Sequence, residues 1–528
     1  MTKVSRSQEA IAILTEFHSA EENPIEASTT SVTSGAPEAP IVDGKTSGPT
    51  SQKSSGLARA DILILLLLLI VAGSLRLVRL GEPEAVVFDE TYYAKDACLY
   101  LGYQQDFCDL NQSTEQSYVH PPLGKWLIAI GIKVFGYNSF GWRASAAFFG
   151  ILVVLLTYLL ALKLLNDRWV GGVAGLLVAT DFLMLVQSRI AMLDIFQAFF
   201  LVLGFLFLAV DRERVIEIRN HSLEDRDTPA PAREPEWGFA AGAAMGLAVS
   251  VKWSAAWGLI AVMVLSAMWS LTIASLKKKH PASFSESQRN GLAVWGMWLL
   301  SFALIPLVVY LSTYALYFFD NAREECNFTV PAQGGLKFGK QKGECVPGAV
   351  GSAMGFVDLQ YRAAKYHLTL KAKHSYQSRA WTWPLVKRPV AYYYPANQKK
   401  STHILAFGNL AVWYGSLIAL VYLAIRSRRR LRPERIILAG WGSQYLPWLI
   451  VGRPLFFFYM TPVVPFMMIG LAAALGALRD KGKSARWLVT AYLILGVGVL
   501  VYFFYPVIAA VPLDYNLWRS RMWFGSWI

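Results

Sequence analysis

Hydrophobic residues along this chain gather in blocks of about 17 to 25, the length of helix that crosses a bilayer core. Eleven such windows stand near 61–80, 143–165, 169–186, 190–210, 237–251, 255–276, 291–318, 404–425, 435–451, 455–477 and 487–510. The fifth is short, and a further apolar stretch at 123–135 is too short and too interrupted to span. The pattern predicts an all-α integral membrane protein of about 11 transmembrane helices with two large extracytoplasmic loops.

The polar segments divide the chain further. Residues 1–56 are rich in Ser, Thr, Pro, Ala and Glu and show no apolar period, which predicts a disordered cytoplasmic tail. That tail is too long and too acidic for the start of a cleavable signal peptide, so the first span is expected to act as an uncleaved anchor. Residues 57–318 then form an N-terminal membrane part that includes an outer loop at 81–142. A second extracytoplasmic loop covers 319–402, and 403–528 form a C-terminal four-helix membrane part. Inside the first loop, Pro121-Pro122 precede an apolar stretch flanked by Lys125 and Lys133, the pattern of a helix lying in the membrane interface. The connector 211–236 mixes both charges with proline and reads as solvated, and no internal repeat is visible.

Charge supplies the orientation. With the N-terminus cytoplasmic, the inner loops hold Lys277, Lys278 and Lys279, the run 426–435, and Arg479, Lys481, Lys483 and Arg486, while short outer loops hold few cations. That meets the positive-inside rule and puts the C-terminus outside. The net charge of +14 is then largely topogenic. The basic clusters are scattered between apolar spans with no module around them, which speaks against nucleic-acid binding. Only 16% of residues are charged, against roughly 25% in soluble domains, and 29 Phe, 24 Tyr and 18 Trp reinforce the membrane reading. The same orientation places Cys98 and Cys108 in the first outer loop and Cys326 and Cys345 in the second. Two local disulfides in an oxidising compartment are expected, with free inert thiols as the alternative.

The candidate chemistry collects on the same side. Asp89-Glu90 follows the first span, where a carboxylate pair can serve as general base for a hydroxyl nucleophile. Capping is the plainer role, since Asp89 would stand before a helix running from Glu90 to about Leu101. Arg189 and Asp194 lie between the third and fourth spans. An Asp inside an apolar span is costly unless paired or wet, so Arg189 is either its ion-pair partner or a phosphate ligand. Lys252 occupies the tight outer turn after the fifth span, suited to snorkelling or to holding phosphate. His120 and Lys125 bracket the start of the interfacial helix, a place that favours phosphate. Arg143 is placed to brace the acidic pair, and Arg453 is another outer cation. His120, His367, His374 and His403 show no metal-ligand spacing, so no metal is expected. One acidic pair among several cations, at one face of a bundle with apolar walls, suits a substrate with a lipid tail and an anionic head. A sugar on a phosphate already has a good leaving group and needs cations and one base rather than the two carboxylates of a hydrolase.

These motifs resemble those of the protein O-mannosyltransferases, polyprenyl-phosphate-dependent enzymes of the GT-C membrane fold. Phe88-Asp89-Glu90 is similar to the family's first-loop acidic motif, and His120-Pro121-Pro122-Leu123-Gly124-Lys125 and Gly141-Trp142-Arg143 to the segments after it. Arg189 with Met192-Leu193-Asp194, and Ser250-Val251-Lys252-Trp253, have counterparts as well. So do the run 374–384 with Arg388-Pro389 and the tyrosines 392–394, and Arg453-Pro454-Leu455-Phe456-Phe457-Phe458-Tyr459 with Pro465-Phe466. The likeness runs in order from about 60 to 525 and includes the family's eleven spans. It implies mannose transfer from polyprenyl-phosphate-mannose to Ser or Thr of secreted proteins, with inversion and with Asp89 as general base. Glu90 and Arg143 would support it, and the basic groups would hold the carrier phosphate. No cofactor is implied beyond the lipid-linked donor. Two departures stand out: 319–402 is too short for the β-trefoil MIR domain of eukaryotic members, and Tyr92-Tyr93 stands where those members tend to carry a His-aromatic pair. Both fit a bacterial, actinobacterial branch at the outer face of the plasma membrane, acting on unfolded acceptors, with the Sec translocon as candidate partner. The other readings are a different GT-C lipid-phosphate-sugar transferase and a transporter with Asp194 as coupling site, though transporters usually show repeated halves.

Overall fold

A computed structural model of the chain describes residues 58–528 apart from 110–117, 225–227, 229, 232, 286–289, 322–327, 331–343, 372, 396–399 and 429–430. The expected disordered tail and Cys326 lie outside the described residues. The main helices in chain order begin with α1 (Arg59–Leu77), α2 (Glu90–Tyr100), α3 (Leu123–Phe135), α4 (Ser139–Leu165) and α5 (Arg168–Thr180). Next come α6 (Phe182–Arg189), α7 (Asp194–Glu224), α8 (Glu236–Val251), α9 (Ala256–Lys279) and α10 (Gly291–Ser312). The last five are α11 (Gly348–Thr369), α12 (Leu410–Arg426), α13 (Glu434–Tyr445), α14 (Phe457–Arg479) and α15 (Lys483–Ile508). Two small antiparallel ribbons complete the set: β1 (Phe328–Val330) with β2 (Glu344–Val346), and β3 (Val390–Tyr393) with β4 (Ile404–Ala406).

Each of the eleven apolar windows carries a helix. Among the described residues seven helices are long and apolar enough to cross a membrane, and the pair α5–α6, bent by 58° around Asp181, brings the number to eight if it is one broken span rather than a re-entrant loop. Helices α8 and α12 are apolar but shorter. At about 1.5 Å per residue, 16 residues reach about 24 Å of a core about 30 Å thick. The interfacial stretch is the helix α3, entered through Pro121-Pro122 as its sequence implied.

Three boundaries differ from the sequence reading. The connector 211–236 is helical as far as Glu224, and its charges are used: Arg233 binds Asp211, and the Arg212 Nε donates to the Leu431 carbonyl at 2.7 Å. Mixed charge marks an ion-paired helix end here rather than a solvated loop. The window starting at 404 opens with β4, whose three residues are all buried and pair with β3, so apolar residues suit it as well as they suit a helix; α12 begins only after Asn409, whose side chain accepts from Val412 N–H. Residues 190–193 are non-helical, so α7 starts at Asp194.

The core is a bundle in which α4 packs on α5 and α7, and α7 on α8. Small residues set the closest approaches. A Cβ on Gly242 would overlap the Ser301 carbonyl, so α8 meets α10 backbone to backbone. A Cβ on Gly131 would overlap the Gly141 carbonyl, so α3 lies tight against the start of α4. The bundle has two chemically distinct ends. At one, Asp61 accepts from Arg168 at 2.7 Å, Arg479 pairs with Asp167 at 2.9 Å and Arg426 pairs with Glu434 at 3.3 Å. Arg426 and Arg479, from the basic loops that the sequence reading places inside, belong to this end. The first loop, β3, β4 and α11 gather at the other.

Candidate active site

The chain leaves α1 and turns back at Phe88, whose φ of 52° is left-handed, a conformation that a bulky residue adopts only under constraint. Its ring stacks on Tyr392 of β3 at 4.5 Å between centroids and meets Phe458 edge-on at 5.8 Å. Asp89 follows. It precedes α2 but makes no side-chain cap bond, so the carboxylate is not occupied by capping. Among the described residues its carboxylate takes one hydrogen bond, a long one from the Tyr93 hydroxyl at 3.5 Å. Asp89 lies deep in the fold and stays half-buried rather than closed off. Burial pushes its carboxyl up to about 6, with Lys252 opposing and Asp194 adding to the rise.

Glu90 behaves oppositely. It is fully buried, and its two oxygens take the Arg143 Nε at 2.8 Å and Nη2 at 3.0 Å, the Val87 N–H at 2.9 Å and the Ala191 N–H at 2.9 Å. Arg143 completes its fork on the carbonyls of Leu80, Pro83 and Ala85 at 3.2, 3.0 and 2.8 Å. All five guanidinium N–H groups are thereby used, and none is left for a phosphate. The pair ties the first loop, α4 and the 190–193 link into one frame under Asp89.

The remaining cations separate into structural and available groups. Arg189 donates to the carbonyls of Leu75, Arg76 and Val78 at 2.8–2.9 Å and of Arg79 at 3.1 Å, closing the C-terminal end of α1. It is not the partner of Asp194. That partner is Lys252, whose Nζ lies 2.8 Å from Asp194 Oδ1. Lys125 pairs with Asp96 at 2.8 Å, both buried, and pins α3 to α2 instead of facing a ligand. Lys252 also lies over the rings of Tyr459 at 4.9 Å and Phe458 at 5.7 Å, and Asp194 Oδ2 is buried with no hydrogen-bond partner among the described residues. Arg453 lies over Tyr459 at 5.6 Å and Trp448 at 5.8 Å. Tyr459 is thus shared by two cations that the sequence places far apart.

His120 stands beside this group, its ring 6.1 Å from Tyr93 and 5.4 Å from His367. Burial and the nearby Lys252 and His367 hold it well below the ordinary histidine range, so it is neutral. The His367 Nε2 pairs with the Val119 carbonyl at 2.8 Å. Among the described residues no group of three His, Cys, Asp or Glu side chains could hold a metal ion. Cys98 and Cys108 form a disulfide, and the expected Cys326–Cys345 bridge falls on a residue outside the described ones.

The structure therefore gathers Asp89, Asp194, Lys252, Arg453 and His120 around one region, with Glu90, Arg143, Arg189 and Lys125 as its frame. Sequence reasoning missed Phe88, Tyr93, Tyr392, Tyr459 and His367 as parts of it. Phe88, Tyr392 and Tyr459 stood in motifs that carry the family resemblance but were given no role, and Tyr93 and His367 had no signal beyond the aromatic density around them. The arrangement offers Lys252 and Arg453 to an anionic group and Asp89 to a hydroxyl.

Comparison with known proteins agrees with this picture. Residues 64–320 match the profile of the dolichyl-phosphate-mannose-protein mannosyltransferases, and residues 353–527 that of the C-terminal four-transmembrane region of protein O-mannosyltransferases. The chain is 30% identical to the polyprenol-phosphate-mannose–protein mannosyltransferase of Mycolicibacterium smegmatis (strain MKD8), over 92% of this chain and 96% of that one. It is 30% identical to the enzyme of the same name from Mycobacterium tuberculosis (strain ATCC 25618 / H37Rv), over 88% and 91%. The Corynebacterium glutamicum enzyme shares 29% over 78% and 81%. Among solved structures, the S. cerevisiae protein O-mannosyltransferase Pmt1–Pmt2 complex bound to the sugar donor superposes with a TM-score of 0.68 at 14% identity, covering 90% of this chain and 93% of that one. The shared fold is the GT-C membrane fold.

Proposed function

The chain belongs to the dolichyl-phosphate-mannose-protein mannosyltransferase family, and from that premise we propose that it moves mannose from polyprenyl-phosphate-mannose to Ser or Thr hydroxyls of secreted proteins. The observation that carries the mechanism is the contrast between Asp89 and Glu90. Glu90 has every oxygen engaged, whereas Asp89 keeps its carboxylate nearly free, beside a cation and raised to about 6. Such a group is ionised at neutral pH and is a stronger base than an ordinary carboxylate.

In this reading the acceptor hydroxyl gives its proton to Asp89 as its oxygen attacks the mannose anomeric carbon. The carbon–oxygen bond to phosphate breaks, and the electron pair leaves with the phosphate. Lys252 and Arg453 offset the charge that develops there. The other carboxylates of the region are committed, Asp194 to Lys252 and Glu90 to Arg143. The reading is a single displacement with inversion, and the commitment of the other carboxylates to cations supports it. The donor's phosphate is already a good leaving group, so the reading calls for no cofactor beyond the lipid itself. His120 lines the region as a neutral imidazole. The frame residues Glu90, Arg143, Arg189 and Lys125 act by holding geometry.

The proposal extends to the setting: an eleven-span protein of the plasma membrane, N-terminus cytoplasmic and C-terminus outside, working on unfolded chains as they emerge, with the Sec translocon as neighbour. The basic end of the bundle supports that orientation, because it lies away from Asp89. The test uses membranes containing the protein, radiolabelled polyprenyl-phosphate-mannose and a Ser/Thr-rich peptide. Wild type is expected to label the peptide and Asp89→Asn is not. Equal labelling by the variant would remove Asp89 from the mechanism, and no labelling by wild type with a competent donor would remove the reaction.

A further inference from the structure

Beside the Asp89 region lies a cavity of about 720 Å³ between the end of α11 and the segment after α13. Lys371, Lys373, Arg379 and Arg453 line it, and no Asp or Glu lines it among the described residues. Lys371, Lys373 and Arg379 are exposed side chains. The walls are held together by the Ser378 N–H donating to the Leu455 carbonyl at 2.9 Å. Near the cavity the surface turns apolar, with Ile450 87%, Trp381 55% and Leu449 46% exposed, as expected where a protein meets lipid. Arg453 connects this cavity to the reacting region, because it shares the Tyr459 ring with Lys252.

The transfer itself changes the charge of the carrier. Before reaction the phosphate is a diester with one negative charge. After it, the anomeric carbon has left for the acceptor oxygen, the hydroxyl proton sits on Asp89, and the carrier is a monoester with a charge of about −1.5 to −2 at neutral pH. The reacting region meets that extra charge with Lys252 and Arg453 alone, and Lys252 shares its charge with Asp194. The neighbouring cavity offers four cations with no lining carboxylate, next to an apolar surface for a polyprenyl chain.

We propose that the cavity lined by Lys371, Lys373, Arg379 and Arg453 is a second phosphate site, which takes the discharged polyprenyl phosphate after transfer. The proposal rests on the mannosyl-transfer reading above. Its test is the full-length protein in lipid nanodiscs carrying Lys371→Gln, Lys373→Gln and Arg379→Gln together, with Arg453 intact. Two measurements are made: equilibrium binding of polyprenyl phosphate, and its inhibition of mannosyl transfer. Both constants are expected to weaken by about tenfold in the triple variant, while the donor KM shifts by less than about threefold. The charge-preserving set Lys371→Arg, Lys373→Arg and Arg379→Lys is expected to bind like wild type, which separates charge from folding.

Unchanged polyprenyl phosphate binding in the triple variant overturns the proposal. So does a donor KM that rises in step with the inhibition constant, which would make the cavity the donor's own phosphate site. Competition by inorganic phosphate or by phosphatidylglycerol vesicles as strong as by polyprenyl phosphate would also overturn it, in favour of a general anion or headgroup site. If wild type binds polyprenyl phosphate through these cations yet transfers no mannose, the cavity stands and the reaction falls.

Discussion

The ring of Phe88 lies flat on the ring of Tyr392, 15° from parallel, and so a residue of the first loop is held by a strand from the second. Phe88 is in a left-handed conformation that costs on the order of 1–3 kcal/mol, while one stacked pair contributes about 0.5–1.5 kcal/mol beyond burial. The edge contact to Phe458 adds to the balance, and Tyr392 is itself fixed by Gln187 at 2.7 Å. Removing the ring should therefore let the turn relax and Asp89 drift. We expect Phe88→Ala to lower kcat by about tenfold or more with a smaller change in donor KM, and Tyr392→Phe to cost less, because it keeps the stacked ring and loses only the Gln187 bond. Steady-state kinetics on both variants check this; equal losses would show that stacking is not what positions Asp89.

The activity of the wild type should fall on the acid side with a midpoint near pH 6, where Asp89 takes up its proton. Asp194 raises that midpoint and Lys252 lowers it. Asp194→Asn should therefore move the acid limb to lower pH, and Lys252→Gln should move it to higher pH, each on top of any loss in rate. Profiles of kcat/KM against pH provide the measurement. Shifts in the reverse directions would mean that another group titrates.

Stability and activity should part at Asp89-Glu90. Glu90→Gln or Arg143→Met leaves the partner charge buried and unpaired, a loss of about 3–5 kcal/mol. Asp89→Asn removes a partly buried charge with no strong partner. Since its folded carboxyl sits above the ordinary value, its ionisation works against folding as pH rises from about 4 to 6. Thermal unfolding in detergent at pH 7.5 should show a marked fall in Tm for the first two and no fall for the third. A fall of similar size in all three would contradict the division into base and frame.

The Cys98–Cys108 bridge closes a loop with a sequence separation of 10, so opening it should cost at most about 3 kcal/mol. We expect Cys98→Ser with Cys108→Ser to lower Tm by several degrees and leave the acid limb near pH 6 unchanged. Mass analysis after alkylation, with and without reductant, verifies the bridge in the wild type.

Much of the fold was legible because a membrane span is a local property. A block of apolar residues states most of its own secondary structure, and each of the eleven windows contains a helix. Pro121-Pro122 announced α3 for the same reason. Where the local signal was ambiguous the reading slipped. Residues 404–406 are apolar enough for helix or strand, and only β3 beside them decides for strand. The charges of 211–224 look solvated until Arg233 and Leu431 arrive to meet them.

The site divides in the same way. The sequence by itself determined which acidic and basic residues stand near one face, and its motifs marked Asp89. It did not determine who pairs with whom. Asp194 is five residues from Arg189, yet its partner is Lys252 from the end of another helix. Arg143 braces Glu90 as its position implied, but Arg189 and Lys125 looked like phosphate ligands as much as Lys252 did, and only the packed bundle brings them the carbonyls and the carboxylate that use their donors. A buried charge takes whatever partner lies within about 3 Å, and in this bundle that distance is set by the crossing of helices rather than by order along the chain.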